Sequence, residues 1–437
     1  MAHDPDPANR DPRPAGAAAL SGSASWASAS AITSSGSGST AGATPSPSAS
    51  PSPADTSLGG SAASASSSGS AYPGASVGLP HDTAALSPSS AAEAPVRHRR
   101  ASFEAAELAM VCSRYDIGVI ESIKEFRRGS GRAPKVVLKT DKGRYLLKRR
   151  AVGRDTPARV RFTHAIQLHL AQRRFPLPRL IGTRTDNSSL LILGDQIYEL
   201  FEFIPGENYD GSLDATADAG RALGFFHRLL GNFTYPDYNP PAASFHNAGG
   251  LDDHLAEIAR KLPDAAATAV LKRLKISYAD AAQRVEAMGY PHWPHQIVHG
   301  DWHPGNMLFR GSRVAAVIDY DTARRCPRII DISNGALQFS ITMSGHNPEA
   351  WPPGLDEGRF KRFCRGYESV KDCVVSTAEL EAMPWLMIEA LIVEAAVPIA
   401  ATGSFAGLSG IAFLRMVDAK TAWLQQHSAR LTSLVLD

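Results

Sequence analysis

Two carboxylates and an amide stand at telling distances in the second half of the chain. Asp301 lies in the run Val298-His299-Gly300-Asp301-Trp302-His303-Pro304-Gly305-Asn306-Met307-Leu308-Phe309, with Asn306 five positions beyond it. Thirteen residues past Asn306, the apolar pair Val317-Ile318 ends in Asp319, followed by Tyr320 and Asp321. Gly311-Ser312 between them reads as the turn of a hairpin. Phosphoryl transfer asks for this kind of set. It needs little covalent chemistry from a protein, but it does need positioning and charge neutralisation. Asp301 suits the carboxylate that accepts or orients the proton of an attacking hydroxyl. Asp319 and Asn306 suit hard oxygen ligands for a hard cation such as Mg²⁺. Gly300, Pro304 and Gly305 suit the tight loop between them. Singly, each residue could cap a turn or end a strand; as a set, with strand-like runs on both sides, they point to chemistry.

Such a loop needs a scaffold, and the order of elements supplies one. Residues 103–115 read as a helix. Strand-like runs follow at 118–126, 135–140 and 144–149, the last two joined across Asp141-Lys142-Gly143 as a hairpin. An amphipathic helix spans 157–172 and stops before Phe175-Pro176-Leu177-Pro178. Two more strands are expected at 190–193 and 196–204, where Pro205-Gly206 breaks the pattern. Helical periodicity dominates from about 214 onward, as at 219–230 and 266–288. Strands first and helices second argue for an α+β architecture: a small β-rich N-lobe over 102–204 and a larger helical C-lobe over 205–437. Residues 1–101 are dominated by Ala, Ser, Pro, Gly and Thr. With so little to bury they are expected to form a disordered tail.

The His-x-Asp-x₄-Asn spacing is that of the catalytic loop of protein kinases, and Asp319 holds the place of their metal-binding Asp. More specifically, His299-Gly300-Asp301-Trp302-His303-Pro304-Gly305-Asn306 with Val317-Ile318-Asp319-Tyr320-Asp321 resembles the phosphotransferase enzyme family of aminoglycoside phosphotransferases and choline kinases. Leu200-Phe201-Glu202-Phe203-Ile204-Pro205-Gly206 is similar to that family's hinge between lobes, and Leu223-Gly224-Phe225-Phe226-His227-Arg228-Leu229 to one of its helices. Gly143-Arg144-Tyr145-Leu146-Leu147-Lys148-Arg149-Arg150 is similar to homoserine kinase type II, spore-coat kinase-like proteins and stress-response kinases within it. The resemblance implies a protein-kinase-like two-lobed fold, ATP and Mg²⁺ as cofactors, and a small-molecule hydroxyl as acceptor. It implies that Lys148 touches the ATP phosphates and that Glu202, Phe203 and Ile204 lie against the adenine through hinge backbone groups. Gly129, Ser130 and Gly131 would form the phosphate-covering turn. Asp331 would be structural support, and His299 and His303 would stabilise the loop. One departure stands out: kinases pair the lysine with a Glu on the following helix. The helix at 157–172 has no acidic residue, which leaves His164 or Gln167 as stand-ins.

The acceptor is less legible. The run 385–397 is apolar on every side, so it is expected to be a buried helix, and its Glu389 or Glu394 is the candidate lining of the acceptor pocket. No apolar run is read as reaching membrane-spanning length. Lys and Arg total 45 against 43 Asp and Glu, a net charge of +2, which gives no support for nucleic-acid binding. Four cysteines without C-x-x-C spacing fit a reduced, cytoplasmic setting. Two other functions stay open. One is a protein Ser/Thr kinase of stress-response type, against which the lack of an A-P-E element counts. The other is a nucleotide-binding pseudokinase scaffold, motivated by the helix without a carboxylate.

Overall fold

A computed structural model describes residues 101–436 except 128–132, 152–155 and 241–242. The segment expected to be disordered, up to residue 100, and the turn expected at Gly129, Ser130 and Gly131 lie outside the described residues. After a short helix, α1 (Ala105–Cys112), the chain builds an antiparallel sheet from β1 (Ile120–Glu125), β2 (Lys135–Thr140), β3 (Gly143–Arg149), β4 (Leu191–Leu193) and β5 (Gln196–Glu202). The spatial order is β1-β2-β3-β5-β4, with α2 (Pro157–Gln172) inserted in sequence between β3 and β4. The predicted hairpin closes at Gly143, and the Thr140 hydroxyl accepts from the Lys142 amide at 3.1 Å.

Side-chain alternation decides which face of the sheet does what. Val136, Leu138, Leu147, Tyr198 and Leu200 bury one face against Val111 and Cys112 of α1. Lys148 and Glu199, one step out of phase, therefore point to the opposite face, and the β3–β5 register sets them directly across from each other.

The rest is mainly helical: α3 (Leu213–Leu230), α4 (Leu251–Lys261), α5 (Ala265–Ala287), α6 (Ile329–Ser340), α7 (Glu357–Glu368), α8 (Thr377–Thr402) and α9 (Gly410–Leu436). Helix α3 begins where the periodicity predicts, at about 214, and Ser212 caps it by accepting from the Ala215 amide at 3.2 Å. It packs closely on α7: a Cβ on Gly220 would lie 2.0 Å from the Phe363 carbonyl, and one on Gly366 2.0 Å from that of Ala217. Four short strands carry the candidate site: β6 (His295–Val298), β7 (Met307–Arg310), β8 (Arg313–Val317) and β9 (Arg324–Pro327). β7 and β8 form the expected hairpin, whereas the β6–β9 pair was not foreseen, since four-residue strands joined across a long loop carry no local signal. A last two-residue hairpin, β10 (Ser404–Phe405) with β11 (Leu408–Ser409), links α8 to α9.

Helix α8 corrects one expectation. It is 26 residues long and apolar enough by length and composition to cross a membrane, because Pro384 and Pro398 fail to end it. Its N-terminus is fixed by a capping box of Ser376 and Glu379, its C-terminus by left-handed Gly403. Some 72% of its most apolar window is buried inside the protein, against α4, α5, α6 and α9.

Candidate active site

The loop between β6 and β7 is anchored from below before any of its side chains is placed. The backbone amides of His299 and Gly300 donate to the two carboxylate oxygens of Asp331, at 2.6 and 2.8 Å. Asp331 is buried at the start of α6, and His227 of α3 lies 3.2 Å from it, with Tyr367 of α7 on the other ring nitrogen at 3.0 Å. Burial works against the Asp331 charge, but His227 and the loop amides outweigh it and lower its pKa. Gly300 sits at φ 77°, and a Cβ there would stand 2.7 Å from the Thr322 carbonyl, so the turn admits only glycine. The Thr322 hydroxyl in turn donates to the His299 carbonyl at 2.8 Å, and the His299 ring donates to the Ile318 carbonyl at 3.2 Å.

On this base Asp301, Asn306 and Asp319 come together. The Asn306 side-chain amide donates to Asp301 Oδ2 at 2.8 Å and to the Asp301 carbonyl at 3.0 Å. His303 accepts from the Gly305 amide through Nδ1, so its proton is on Nε2, 3.5 Å from Asp301 Oδ2. Burial opposes the His303 charge, but Asp301 outweighs it and raises the pKa. The Asn306 carbonyl accepts from the Ile318 amide at 2.9 Å, which ties the loop to the residue before Asp319. Asp319 takes up a left-handed backbone at φ 66°, and its side chain does not cap the turn that follows. It is exposed to solvent, with other charged groups close by. Desolvation and the neighbouring Asp321 and Asp301 push its pKa up, against the pull of Lys148.

This donor set suits a divalent cation. An anion destabilised by its neighbours is one that a cation would stabilise, and Asn306, having turned its NH₂ to Asp301, has its amide oxygen left to ligate. Among the described residues no three His, Cys, Asp or Glu side chains form a metal cage. Mg²⁺ does not require one, since it usually takes one or two carboxylates together with water and phosphate oxygens.

Lys148 arrives from β3 as expected, but its surroundings differ from the prediction. Its ammonium lies 3.0 Å from Asp321 Oδ2 and 3.7 Å from Glu199 Oε2. Arg150 mirrors it, 2.6 Å from Asp321 Oδ1 and 2.9 Å from Glu199 Oε1. His164 of α2 reaches Glu199 Oε1 through Nε2 at 2.6 Å and Ser189 through Nδ1 at 2.9 Å. The expected stand-ins for the helix Glu are thereby corrected. Gln167 turns to its own helix, donating to the Thr163 carbonyl at 3.3 Å, and His164 touches a carboxylate rather than the lysine. Burial opposes every charge in the group. Arg150 and Lys148 nevertheless hold Glu199 well below the carboxylate range, Lys148 and Arg150 do the same to Asp321, and Asp321 with Glu199 keeps Lys148 above its ordinary value. Glu199 could have been found as the one charged residue of the apolar run Ile197-Tyr198-Glu199-Leu200-Phe201.

At the hinge, the amides of Glu202 and Phe203 already donate to the carbonyls of Arg179 and Arg144, at 2.8 and 2.9 Å. The two glutamates of α8 part company. Glu394 is half-buried, accepts from Gln338 of α6 at 2.8 Å and acts electrostatically on His303. Glu389 is fully buried against His246 (2.9 Å) and the Asn247 amide (3.2 Å). Five residues along a helix turn by about 140°, so the two cannot face one pocket. A cavity of about 540 Å³ between α4 and α5 is lined by Asn247, Lys275, Tyr278 and Glu286, and no residue of the Asp301 loop lines it.

Known structures share this architecture. An aminoglycoside phosphotransferase from Alicyclobacillus acidocaldarius subsp. acidocaldarius is 17% identical over 74% of this chain and 95% of its own, with a TM-score of 0.55. The amicoumacin kinase hAmiN, in complex with AMP-PNP, Ca²⁺ and Ami, is 14% identical over 76% and 94%, with a TM-score of 0.53. Choline kinase from Cryptosporidium parvum Iowa II is 13% identical over 76% and 99%, with a TM-score of 0.51. At such identities the likeness is one of fold: protein-kinase-like, with a small sheet lobe and a helical lobe. No curated protein sequence matches the chain significantly. The model of the phosphotransferase enzyme family, however, matches residues 122–373, from β1 through the Asp301 loop and past α7, and the chain belongs to that family of phosphotransferases.

Proposed function

We propose that the protein transfers the γ-phosphoryl group of ATP, with Mg²⁺, to a hydroxyl of a small molecule, with Asp301 as the base. The observation that carries this reading is the Asp301–Asn306–Asp319 arrangement on a loop fixed by Asp331. The acceptor oxygen forms the new bond to phosphorus, the bond from phosphorus to the β–γ bridging oxygen breaks, and ADP leaves. The hydroxyl proton passes to Asp301, whose carboxylate Asn306 and His303 hold in orientation. Lys148 binds the phosphates from the sheet side. Asp319 and Asn306 would hold Mg²⁺, which supplies charge neutralisation at the phosphate oxygens. The acceptor of this reading is an amino alcohol, amino acid or sugar-like molecule, and the acidic Glu394 beside His303 favours one with a cationic group. The chain just past Asp321 also favours a small acceptor: β9 comes at once and α6 begins at Ile329, which leaves no long segment to dock a protein substrate.

The test is ADP release from Mg²⁺-ATP against choline, amicoumacin, an aminoglycoside, ethanolamine, homoserine, sugars and a generic protein. Asp301→Asn should lower kcat by about 10²–10⁴-fold while leaving nucleotide binding intact. Acceptor-dependent release that persists in Asp301→Asn would remove Asp301 from its role, and release with the protein substrate alone would replace the small acceptor.

A further inference from the structure

The phosphate-binding lysine of this chain has no carboxylate partner on the helix that follows it, yet it is not unsupported. Glu199 stands directly across from it on the neighbouring strand, fully buried, 3.7 Å from its ammonium. A buried carboxylate at that depth is costly unless it is paired and hydrogen-bonded. Here Arg150 and His164 both reach its Oε1, at 2.9 and 2.6 Å. The helix thus still contributes to the lysine's surroundings, but with the roles exchanged: the strand provides the carboxylate and α2 provides a hydrogen-bond donor to it. Ser189 on the other ring nitrogen completes the hold on His164.

We propose that Glu199, steadied by His164 and Arg150, is the carboxylate that positions Lys148 for the nucleotide phosphates. The inference rests on the phosphotransferase reading above. Arg150 has a distinct part in it. Lys148 and Arg150 share both carboxylates, Glu199 and Asp321. When Lys148 turns part of its hydrogen-bonding capacity to a phosphate, Arg150 stays on Asp321 and Glu199, so the buried Glu199 is not left as an uncompensated anion. Glu199 keeps Lys148 aimed from the sheet side while this exchange takes place. Glu199 is a positioning residue, since it acts through Lys148.

The measurement is calorimetric titration with ADP and MgCl₂, with no acceptor needed, on the full chain and on Glu199→Gln, Glu199→Asp, His164→Gln and Lys148→Met, singly and combined. Glu199→Gln should weaken binding about tenfold, Glu199→Asp and His164→Gln less. In the Lys148→Met background, Glu199→Gln should add nothing, because the residue through which it acts is gone. A purely structural glutamate would lower thermal stability and weaken binding additively in both backgrounds, and that result would overturn the proposal. If Glu199→Gln fails to fold, His164→Gln carries the same cycle, since its amide keeps a donor at the Nε2 position. A wild-type protein that binds no nucleotide would bring down the phosphotransferase reading itself. Equal binding by wild type and Glu199→Gln would bring down this inference alone.

Discussion

Two buried glutamates, each held by a buried histidine, sit in different parts of the molecule under different rules. Glu199 in the sheet lobe is met by His164 at 2.6 Å and by two cations, Lys148 and Arg150. Glu389 in α8 is met by His246 at 2.9 Å and by a backbone amide, while the acidic Glu286 lies on the far ring nitrogen of that histidine at 3.3 Å. Both have no exposure to solvent. The outcome differs in sign. Despite burial, the cations hold Glu199 below its ordinary pKa, whereas burial pushes Glu389 above it and His246 only partly offsets this. The difference shows that burial alone does not mark a working carboxylate. The network that is kept charged opens onto the cleft through Lys148 and Asp321; the other reaches the cavity between α4 and α5 through Asn247 and Glu286.

The largest effect that tests this contrast is on stability. Glu199→Leu removes the anion between Lys148 and a nearly inaccessible Arg150, whose side chain is 4% exposed. Breaking a buried pair in this way costs about 3–5 kcal/mol. Glu389→Leu strands only a histidine and an amide, for about 1–3 kcal/mol. Chemical denaturation of both variants checks the order, and the contrast breaks if Glu389→Leu is the more damaging or if it changes nucleotide affinity.

A second test lies within α8. Glu394→Gln, on the side of the helix that faces His303, should raise the KM for the acceptor about tenfold and leave the KM for ATP alone, as expected for one charge-assisted hydrogen bond of about 1.5 kcal/mol. Glu389→Gln should change neither constant. Steady-state kinetics with the acceptor found by the panel separates them; an unchanged acceptor KM in Glu394→Gln removes that residue from the pocket.

How much of this is legible in the sequence depends on how local each relation is. Asp301 and Asn306 are five residues apart in one loop, so their spacing is itself the geometry, and Asp319 comes after through one hairpin. The order of strands and helices points to the α+β architecture for the same reason, since each element carries its own period. Glu199 stands out as a lone charge in an apolar run, but its relation to Lys148 exists only after β5 has paired with β3, 51 residues apart in sequence at that register point. Arg150 and Asp321 are in plain view as residues but not as partners. Helix α8 is legible as a buried helix, yet an all-apolar run has no stripe to say which glutamate faces the cleft, and its two prolines hide its full length. Asp331 could be named as support, while His227 and Tyr367 beneath it come from helices far apart in the chain.

The smallest effect separates the two glutamates by the direction of their pH dependence. Around the ordinary glutamate value of 4.5, Glu199 binds fewer protons folded than unfolded. Its contribution is therefore fully present above that value and is lost as the pH falls toward its depressed folded pKa. Glu389 binds more protons folded than unfolded from about 4.5 up to its raised value, so its contribution is present below that window and is lost as the pH rises through it. Each slope is limited to about 1.4 kcal/mol per pH unit for a single proton. Urea midpoints for wild type, Glu199→Gln and Glu389→Gln between about pH 4 and pH 8 read this out as differences, in which the other titrating groups largely cancel. The penalty of Glu199→Gln should deepen as the pH rises from 4 to 6, and that of Glu389→Gln should shrink over the same range. Parallel slopes would mean that the cations beside Glu199 do not set it apart, and the contrast between the two buried glutamates would lose its electrostatic basis.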